Sequence, residues 1–186
     1  MVKRGKKIFR ILAAILECPT AQLTDQLGES VRMLEPVSWE AKTCLEHFLA
    51  FCFANPLGRL QGIYDSTFDC NAACCPYVGH HLFGHDRSRT LFAAKVKDEY
   101  LSHVDSRKKE TPDHIAVMLR SLIVQDSVEE ARDLMSYCLI PAVRKMVKAL
   151  DGKDNPYRDV LLAVLHTLET EDRYAAVGPA QYAAAR

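Results

Sequence analysis

Residues 64–89 read YDSTFDCNAACCPYVGHHLFGHDRSR, and residues 110–119 read ETPDHIAVML. The interval 64–119 holds five of the seven histidines and three of the seven cysteines of the chain. It also holds four acids that recur below, namely Asp65, Asp69, Asp86 and Asp113. Two functions fit such a composition: a metal or redox centre, or a surface that binds another polypeptide.

Amphipathic helices flank this interval on both sides. The first apolar stripe follows the helical spacing i, i+3, i+4, i+7, i+8 and comprises Ile8, Ile11, Leu12, Ile15 and Leu16. Comparable patterns predict a helix over Leu57–Phe68 and a last helix after Asn155-Pro156. No segment alternates with a period of two for long enough to form a strand. The sequence therefore predicts an all-α fold, a single-domain bundle of about nine helices around one core.

Capping residues and prolines predict where several helices begin or bend. Thr111-Pro112 has the pattern of an N-cap followed by proline at the first helical position. Ser127 with Glu130 has the pattern of a capping box, and Pro141 is expected to kink or divide its helix. We assign residues 1–171 to the helical domain and residues 172–186, which are rich in alanine, to a flexible C-terminal tail.

Length, charge and cysteine content narrow the class of protein. At 186 residues the chain fits one domain, and 48% apolar residues suffice for a sizeable core. Its 24 basic and 24 acidic residues balance, which argues against nucleic acid as a partner. The odd number of cysteines favours reduced thiols in the cytoplasm over a secreted disulfide framework.

The basic N-terminus and the apolar run after it superficially resemble a signal peptide, an interpretation that we reject. Arg10 interrupts the run, and Glu17 occupies the place of a small residue. The run is also far shorter than the roughly 20 residues that span a bilayer. A first helix of a cytoplasmic protein, without stable membrane insertion, is the better interpretation.

The densest cluster of potential metal ligands comprises Cys70, Cys74, Cys75, His80, His81 and His85. Thiolates and imidazoles are the usual zinc ligands, and residues four apart could share a helix face. Neither C-x-x-C nor H-E-x-x-H spacing is present, however. Thiols in the core and histidines near a helix end are the simpler interpretation. A metal- or redox-sensing helical protein built on Cys70–His85 remains the alternative function, with no metal ligand assigned.

Aromatic and acidic side chains of the same interval suggest the second function. Side chains with an apolar ring and, in most cases, a polar tip are frequent there: Tyr64, Tyr77, Phe83, Tyr100 and His114. They could be core residues whose polar ends reach water, or they could line a groove that receives an amphipathic helix. In the second case the four aspartates of the interval would attract and orient a basic ligand.

Four stretches also form a pattern: LECP at residues 16–19, YDSTFD at 64–69, YVGHHLFGHDRSR at 77–89 and ETPDH at 110–114. They resemble, in order, the L-x-x-P, Y-V-x-T-F-D, L-Y-L-x-x-H-L-x-G-D-x-R-x-R and E-x-P-D-H segments of the nitrate reductase delta-subunit (NarJ-like) branch of the TorD-like redox-enzyme maturation family. Residues 139–157 fit the same branch. The chain differs from it at His85, at Thr111 in place of leucine, and in the cysteines near position 74.

The resemblance implies an all-helical cytoplasmic chaperone that is not an enzyme and carries no cofactor. Such proteins bind the N-terminal segment of a molybdoenzyme catalytic subunit and assist cofactor insertion and complex assembly. The client expected here is a respiratory nitrate reductase, and the chaperone itself is expected to be a monomer or dimer. The expected peptide-binding residues are Tyr64, Asp65, Asp69, Tyr77, His81, Phe83, Asp86, Arg89 and Tyr100. The expected hinge motif comprises Glu110, Pro112, Asp113 and His114.

Overall fold

Ten α-helices and one π-helical segment make up the part of the chain that the structure describes. This computed structural model describes the backbone of residues 3–69, 73–100, 111–125 and 127–184, and the side chains of these residues except 3–5, 99–100 and 177–184. In chain order the elements are α1 (Lys3–Ile15), α2 (Leu23–Leu34), α3 (Trp39–Phe53), α4 (Leu57–Phe68), α5 (Val78–Phe83), α6 (Arg87–Tyr100), α7 (Ile115–Val124), α8 (Val128–Asp133), the π segment (Leu134–Leu139), α9 (Ile140–Ala149) and α10 (Tyr157–Ala184).

The fold is all-α, which confirms the prediction from the sequence. Because α8, the π segment and α9 follow one another directly, residues 128–149 form one helical run, and the described ranges then hold nine helices. The only extended pairing within these ranges is an antiparallel bridge between Tyr77 and His114. No helix in the described part of the chain is both long enough and apolar enough to span a membrane.

The predicted apolar stripes form the core. All five residues of the α1 stripe are buried, with at most 8% of their surface exposed. α1 packs against α7 and α2, while α10 packs against α3 and α9. At the centre the rings of Phe48 and Tyr157 have centroids 5.1 Å apart, and both residues are almost fully buried. Burial of a side chain of this size contributes about 1.5–3 kcal/mol, so this aromatic centre helps to fix α3 on α10.

The predicted start of α7 is wrong by three residues. Thr111 does not cap the helix, because its hydroxyl donates to Asp113 Oδ1 at 2.8 Å within a turn. His114 is extended and pairs with Tyr77, so the helix begins only at Ile115. The cap is His114, whose Nδ1 accepts a hydrogen bond from the backbone N–H of Ala116 at 3.2 Å.

Two other local predictions agree with the structure. Ser127 Oγ accepts a hydrogen bond from the backbone N–H of Glu130 at 3.2 Å, as an N-cap should. The distortion expected at Pro141 takes the form of the π segment that precedes it, where the N–H of Ile140 donates to the carbonyl of Met135, five residues back. The wider turns of the π segment accommodate Pro141, which has no backbone N–H, and the helix continues into α9.

The structure gives no break at the predicted boundary between residues 171 and 172. α10 continues to Ala184. Asp172, the first residue assigned to the tail, accepts a hydrogen bond from Ser136 Oγ at 2.6 Å and lies 3.4 Å from Arg132. The start of this segment is therefore docked on α8 and the π segment, while the mobility of the tail as a whole stays a prediction.

Candidate functional site

A cleft of about 460 Å³ opens where the ends of several segments meet. These are the residues just after α1, the last turns of α4, and the residues just before α5 and α7. The lining residues, which we call the acidic cleft, are Glu17, Cys18, Thr20, Tyr64, Asp65, Phe68, Asp69, Pro76, Tyr77 and His114. Four predicted peptide-binding residues thus share one surface with His114 of the predicted hinge motif.

Tyr64 connects the cleft to the hydrophobic core. Its ring lies 5.3 Å from that of Phe68, one helical turn further on, and 5.8 Å from that of the buried Tyr157. Its hydroxyl donates to the backbone carbonyl of Leu16 at 3.4 Å. Because the ring is held from two sides, Tyr64 presents a fixed aromatic surface to a ligand rather than a mobile one.

Two carboxylates at the C-terminal end of α4 give the cleft its charge. Asp65 and Asp69 are exposed, and neither makes an ion pair within the described part of the chain. Both positions are locally unfavourable. The C-terminal end of a helix is the negative end of its dipole, and a carboxylate there costs roughly a few tenths of a kcal/mol or more. The repulsion between Asp65 and Asp69, like charges four residues apart, costs a roughly similar amount. Burial, and after it the charges of Asp65 and Asp69, raises the pKa of the Cys18 thiol. Among the described residues, the two carboxylates therefore leave uncompensated negative charge at this end of α4.

Glu17 adds a third carboxylate, but it is already neutralised. It forms an ion pair with Arg120 of α7, and both side chains are about three-quarters buried. This pair ties the end of α1 to α7 beneath the cleft. The acidic cleft therefore presents a net charge of about −2, carried by Asp65 and Asp69, to a ligand.

The wall opposite α4 is built by the bridge between Tyr77 and His114. The N–H of Val78 donates to the carbonyl of Asp113 at 2.8 Å, and the N–H of Ile115 donates to the carbonyl of Pro76 at 2.9 Å. The rings of Tyr77 and His114 meet edge to face with centroids 5.8 Å apart. The bridge thus fixes the starts of α5 and α7 relative to each other and places both rings in the cleft.

A buried ion pair supports this wall from behind. Arg89 Nε lies 3.1 Å from Asp113 Oδ2, and the guanidinium carbon of Arg89 lies 4.9 Å from the centre of the Tyr77 ring. The Asp113 carboxylate is only 1% exposed, and it also accepts from the hydroxyl of Thr111. The expectation that Asp113 attracts a basic ligand is therefore wrong, since its charge is used inside the protein.

Other predicted binding residues lie away from the acidic cleft. His81 Nε2 donates to the carbonyl of Cys75 at 2.7 Å, and Phe83 packs on Phe92 with ring centroids 5.4 Å apart. Asp86 caps α6 by accepting from Ser88, and these bonds lower the pKa of Asp86. The side chain of Tyr100 and the whole of Glu110 lie outside the described residues, while Pro112 lies in the turn before α7.

The cysteine–histidine cluster does not converge on one point in the part of the chain that is described. No group of three histidine, cysteine or acidic side chains there could hold a metal ion, and Cys70 lies outside the described residues. Burial raises the pKa of Cys74 to about 12, which opposes the thiolate form that binds metals. The rings of His80 and His85 are 4.9 Å apart at the exposed end of α5.

Five cleft residues were missed as site residues: Glu17, Cys18, Thr20, Phe68 and Pro76. The motif LECP contains the first two, but the sequence motif showed only where a helix ends. The proximity of Glu17, Cys18 and Thr20 to Tyr64 depends on contacts between α4 and the residues just after α1, such as the hydrogen bond from the Tyr64 hydroxyl to the carbonyl of Leu16, 48 positions earlier in the chain.

Comparison with known proteins supports the fold. No protein-family model matches the chain, and no curated protein matches it. The chain is similar to the crystal structure of a candidate redox enzyme maturation protein from Archaeoglobus fulgidus, with a TM-score of 0.58 and 23% sequence identity. The similarity covers 91% of this chain and 94% of that one, so the two share a helical fold over nearly their whole length.

Proposed function

We propose that this chain is a cytoplasmic redox-enzyme maturation chaperone that binds the N-terminal segment of a molybdoenzyme catalytic subunit in the acidic cleft. The client that we favour is a respiratory nitrate reductase. The chaperone would keep the segment accessible while cofactors are inserted and the complex assembles, without catalysis of its own. The shared fold with the Archaeoglobus fulgidus protein and the four sequence motifs support this class of function.

The observation that carries the proposal is the uncompensated pair Asp65 and Asp69 beside the fixed rings of Tyr64 and Tyr77. Carboxylates attract a lysine or arginine side chain of a peptide, and aromatic faces receive its apolar residues. A basic amphipathic helix has both features. A cleft of about 460 Å³ holds a few side chains of such a helix, not a whole protein, so recognition of a short segment fits its size.

The test is a calorimetric titration of the protein with a synthetic peptide that copies the N-terminus of the nitrate reductase catalytic subunit of the same cell. The proposal predicts one-to-one binding that is lost when the peptide sequence is scrambled. Equal binding of the scrambled peptide would show mere electrostatic attraction. Binding only to the N-terminal segment of another molybdoenzyme would retain the chaperone function and reject nitrate reductase as the client.

A further inference from the structure

A second cleft, of about 570 Å³, lies at the other end of α1. Its lining residues, which we call the basic cleft, are Lys6, Lys7, Arg10, Ile11, Glu29 and Ile123. Three cations and one carboxylate give it a net charge of +2. Lys7 Nζ lies 2.7 Å from Glu29, so these two charges compensate each other. Lys6 Nζ donates to the uncharged backbone carbonyl of Gln125 at 3.0 Å, and Arg10 is exposed. Among the described residues, Lys6 and Arg10 therefore carry the excess positive charge.

The seam between α1 and α7 connects the basic cleft to the acidic cleft. The two helices are antiparallel, because Lys6 contacts Gln125 just after α7, whereas Glu17 pairs with Arg120 nearer its start. His114, immediately before α7, lines the acidic cleft, and Ile123 near the end of α7 lines the basic one. Nine residues of helix separate Lys6 from the end of α1, a distance of about 14 Å at 1.5 Å per residue.

We propose that the basic cleft is a second binding site, which takes a carboxylate of the same peptide segment whose basic group occupies the acidic cleft. This inference rests on the proposed function. The two clefts carry opposite net charges, of about −2 and +2, at the two ends of one seam, and this arrangement is complementary to a ligand with separated charges of its own. Ile11 and Ile123 supply apolar contacts for the aliphatic stem of a glutamate.

In the proposed arrangement, the spacing of charges in the ligand follows the length of α1 between Lys6 and the end of the helix, about 14 Å. At 1.5 Å per residue, a helical segment spans about 14 Å with roughly nine residues, whereas an extended segment needs about four at 3.3 Å per residue. The site therefore distinguishes a peptide with a distant acid from an equally basic one without it. It also fixes the direction in which the peptide lies along the seam.

The experiment compares two versions of the nitrate reductase peptide, with glutamate or glutamine nine residues after its first basic residue. Each is titrated into the wild-type protein, the Arg10→Gln variant and the Lys148→Gln variant. Lys148 is an exposed cation on α9 and serves as the control for net charge. We expect the glutamine peptide to bind about two- to fivefold more weakly to the wild type and to Lys148→Gln. The two peptides should bind equally to Arg10→Gln.

Three other results have separate meanings. Equal binding of both peptides to the wild type would overturn the second site and leave the proposed function standing. A preference for glutamate that persists in Arg10→Gln would overturn the assignment to the basic cleft. If neither peptide binds any of the proteins, the proposed function fails, and this inference fails with it.

Discussion

Substitution of Arg89 by alanine should destabilise the protein far more than the partial exposure of the Arg89 side chain suggests. Arg89 is the cationic partner of Asp113, whose carboxylate is 1% exposed. Thr111 would remain as a hydroxyl donor to this carboxylate, but a hydroxyl does not neutralise its charge. The Arg89→Ala variant therefore retains a buried charge without its counterion, which is the costly way to break an ion pair.

The magnitude follows from the burial of the two partners. Loss of one partner of a fully buried pair costs about 3–5 kcal/mol. Since the Arg89 side chain is 30% exposed, water screens part of this interaction, and we expect about 2–3 kcal/mol. In a protein of this size each kcal/mol lowers the melting temperature by about 2–4 °C, so the variant should melt roughly 5–10 °C lower.

Chemical denaturation of four proteins measures the effect: the wild type, Arg89→Ala, Asp113→Asn and the double variant. Asp113→Asn should destabilise the wild type, because it removes half of the ion pair. In the Arg89→Ala background the same substitution should be neutral or stabilising, because no buried charge remains to be compensated. Arg87→Ala is the matched control, since Arg87 is exposed on the same helix and should matter by less than about 0.5 kcal/mol.

Two results would refute this reasoning. One is an Arg89→Ala variant as stable as Arg87→Ala, which would mean that water already compensates Asp113. The other is additive destabilisation in the double variant, which would mean that the two side chains do not interact.

Three further predictions concern single positions. Gly79→Ala should cost about 1–3 kcal/mol in unfolding free energy, because its Cβ would lie 2.8 Å from Asp113 Oδ2; Gly58→Ala, with open space around it, should be neutral or stabilising. Tyr157→Phe should be neutral or stabilising by about 1–3 kcal/mol, because its buried hydroxyl has no hydrogen-bond partner among the described residues. Burial lowers the pKa of His81 below its ordinary 6.5. The contribution of the neutral His81 side chain to the free energy of unfolding should therefore be complete above pH 6.5 and decrease as the pH falls below that value. Thermal melts between pH 7.5 and 5.5 should show a smaller fall for His81→Gln.

Each of these has a contrary outcome. Equal stability of the two glycine variants would show that the wall around Asp113 yields easily. A large loss in Tyr157→Phe would reveal a partner for the hydroxyl. An identical pH profile for His81→Gln would assign the acid sensitivity to other groups.

Local signals in the sequence were sufficient to predict most helices. α4 was predicted with its observed bounds, because Asn55-Pro56 interrupts the preceding pattern and the apolar spacing ends at Phe68. The stripe of α1 was predicted as a core face and is one. These features depend on neighbours within one or two helical turns, which a sequence displays directly.

The errors arose where distant segments meet. Thr111-Pro112 has the sequence of a helix start, yet the pairing of His114 with Tyr77 delays the helix. Asp113 was grouped with the exposed aspartates, since a sequence does not show that Arg89 lies against it. The net charge of zero likewise concealed two clefts of opposite sign. Tertiary contacts decided each of these outcomes.

The most direct test of the central claim is the affinity of the nitrate reductase peptide for the double variant Asp65→Asn with Asp69→Asn, measured beside the double variant Asp133→Asn with Asp154→Asn. Asp133 and Asp154 are exposed acids outside the cleft, so the second double variant controls for the change of two units in net charge. If the acidic cleft binds the basic part of the peptide, two ion pairs worth up to about 1 kcal/mol each are lost, and affinity falls roughly tenfold in the first double variant alone. Equal affinity of the first double variant and the wild type, with helicity preserved in both, would contradict the account.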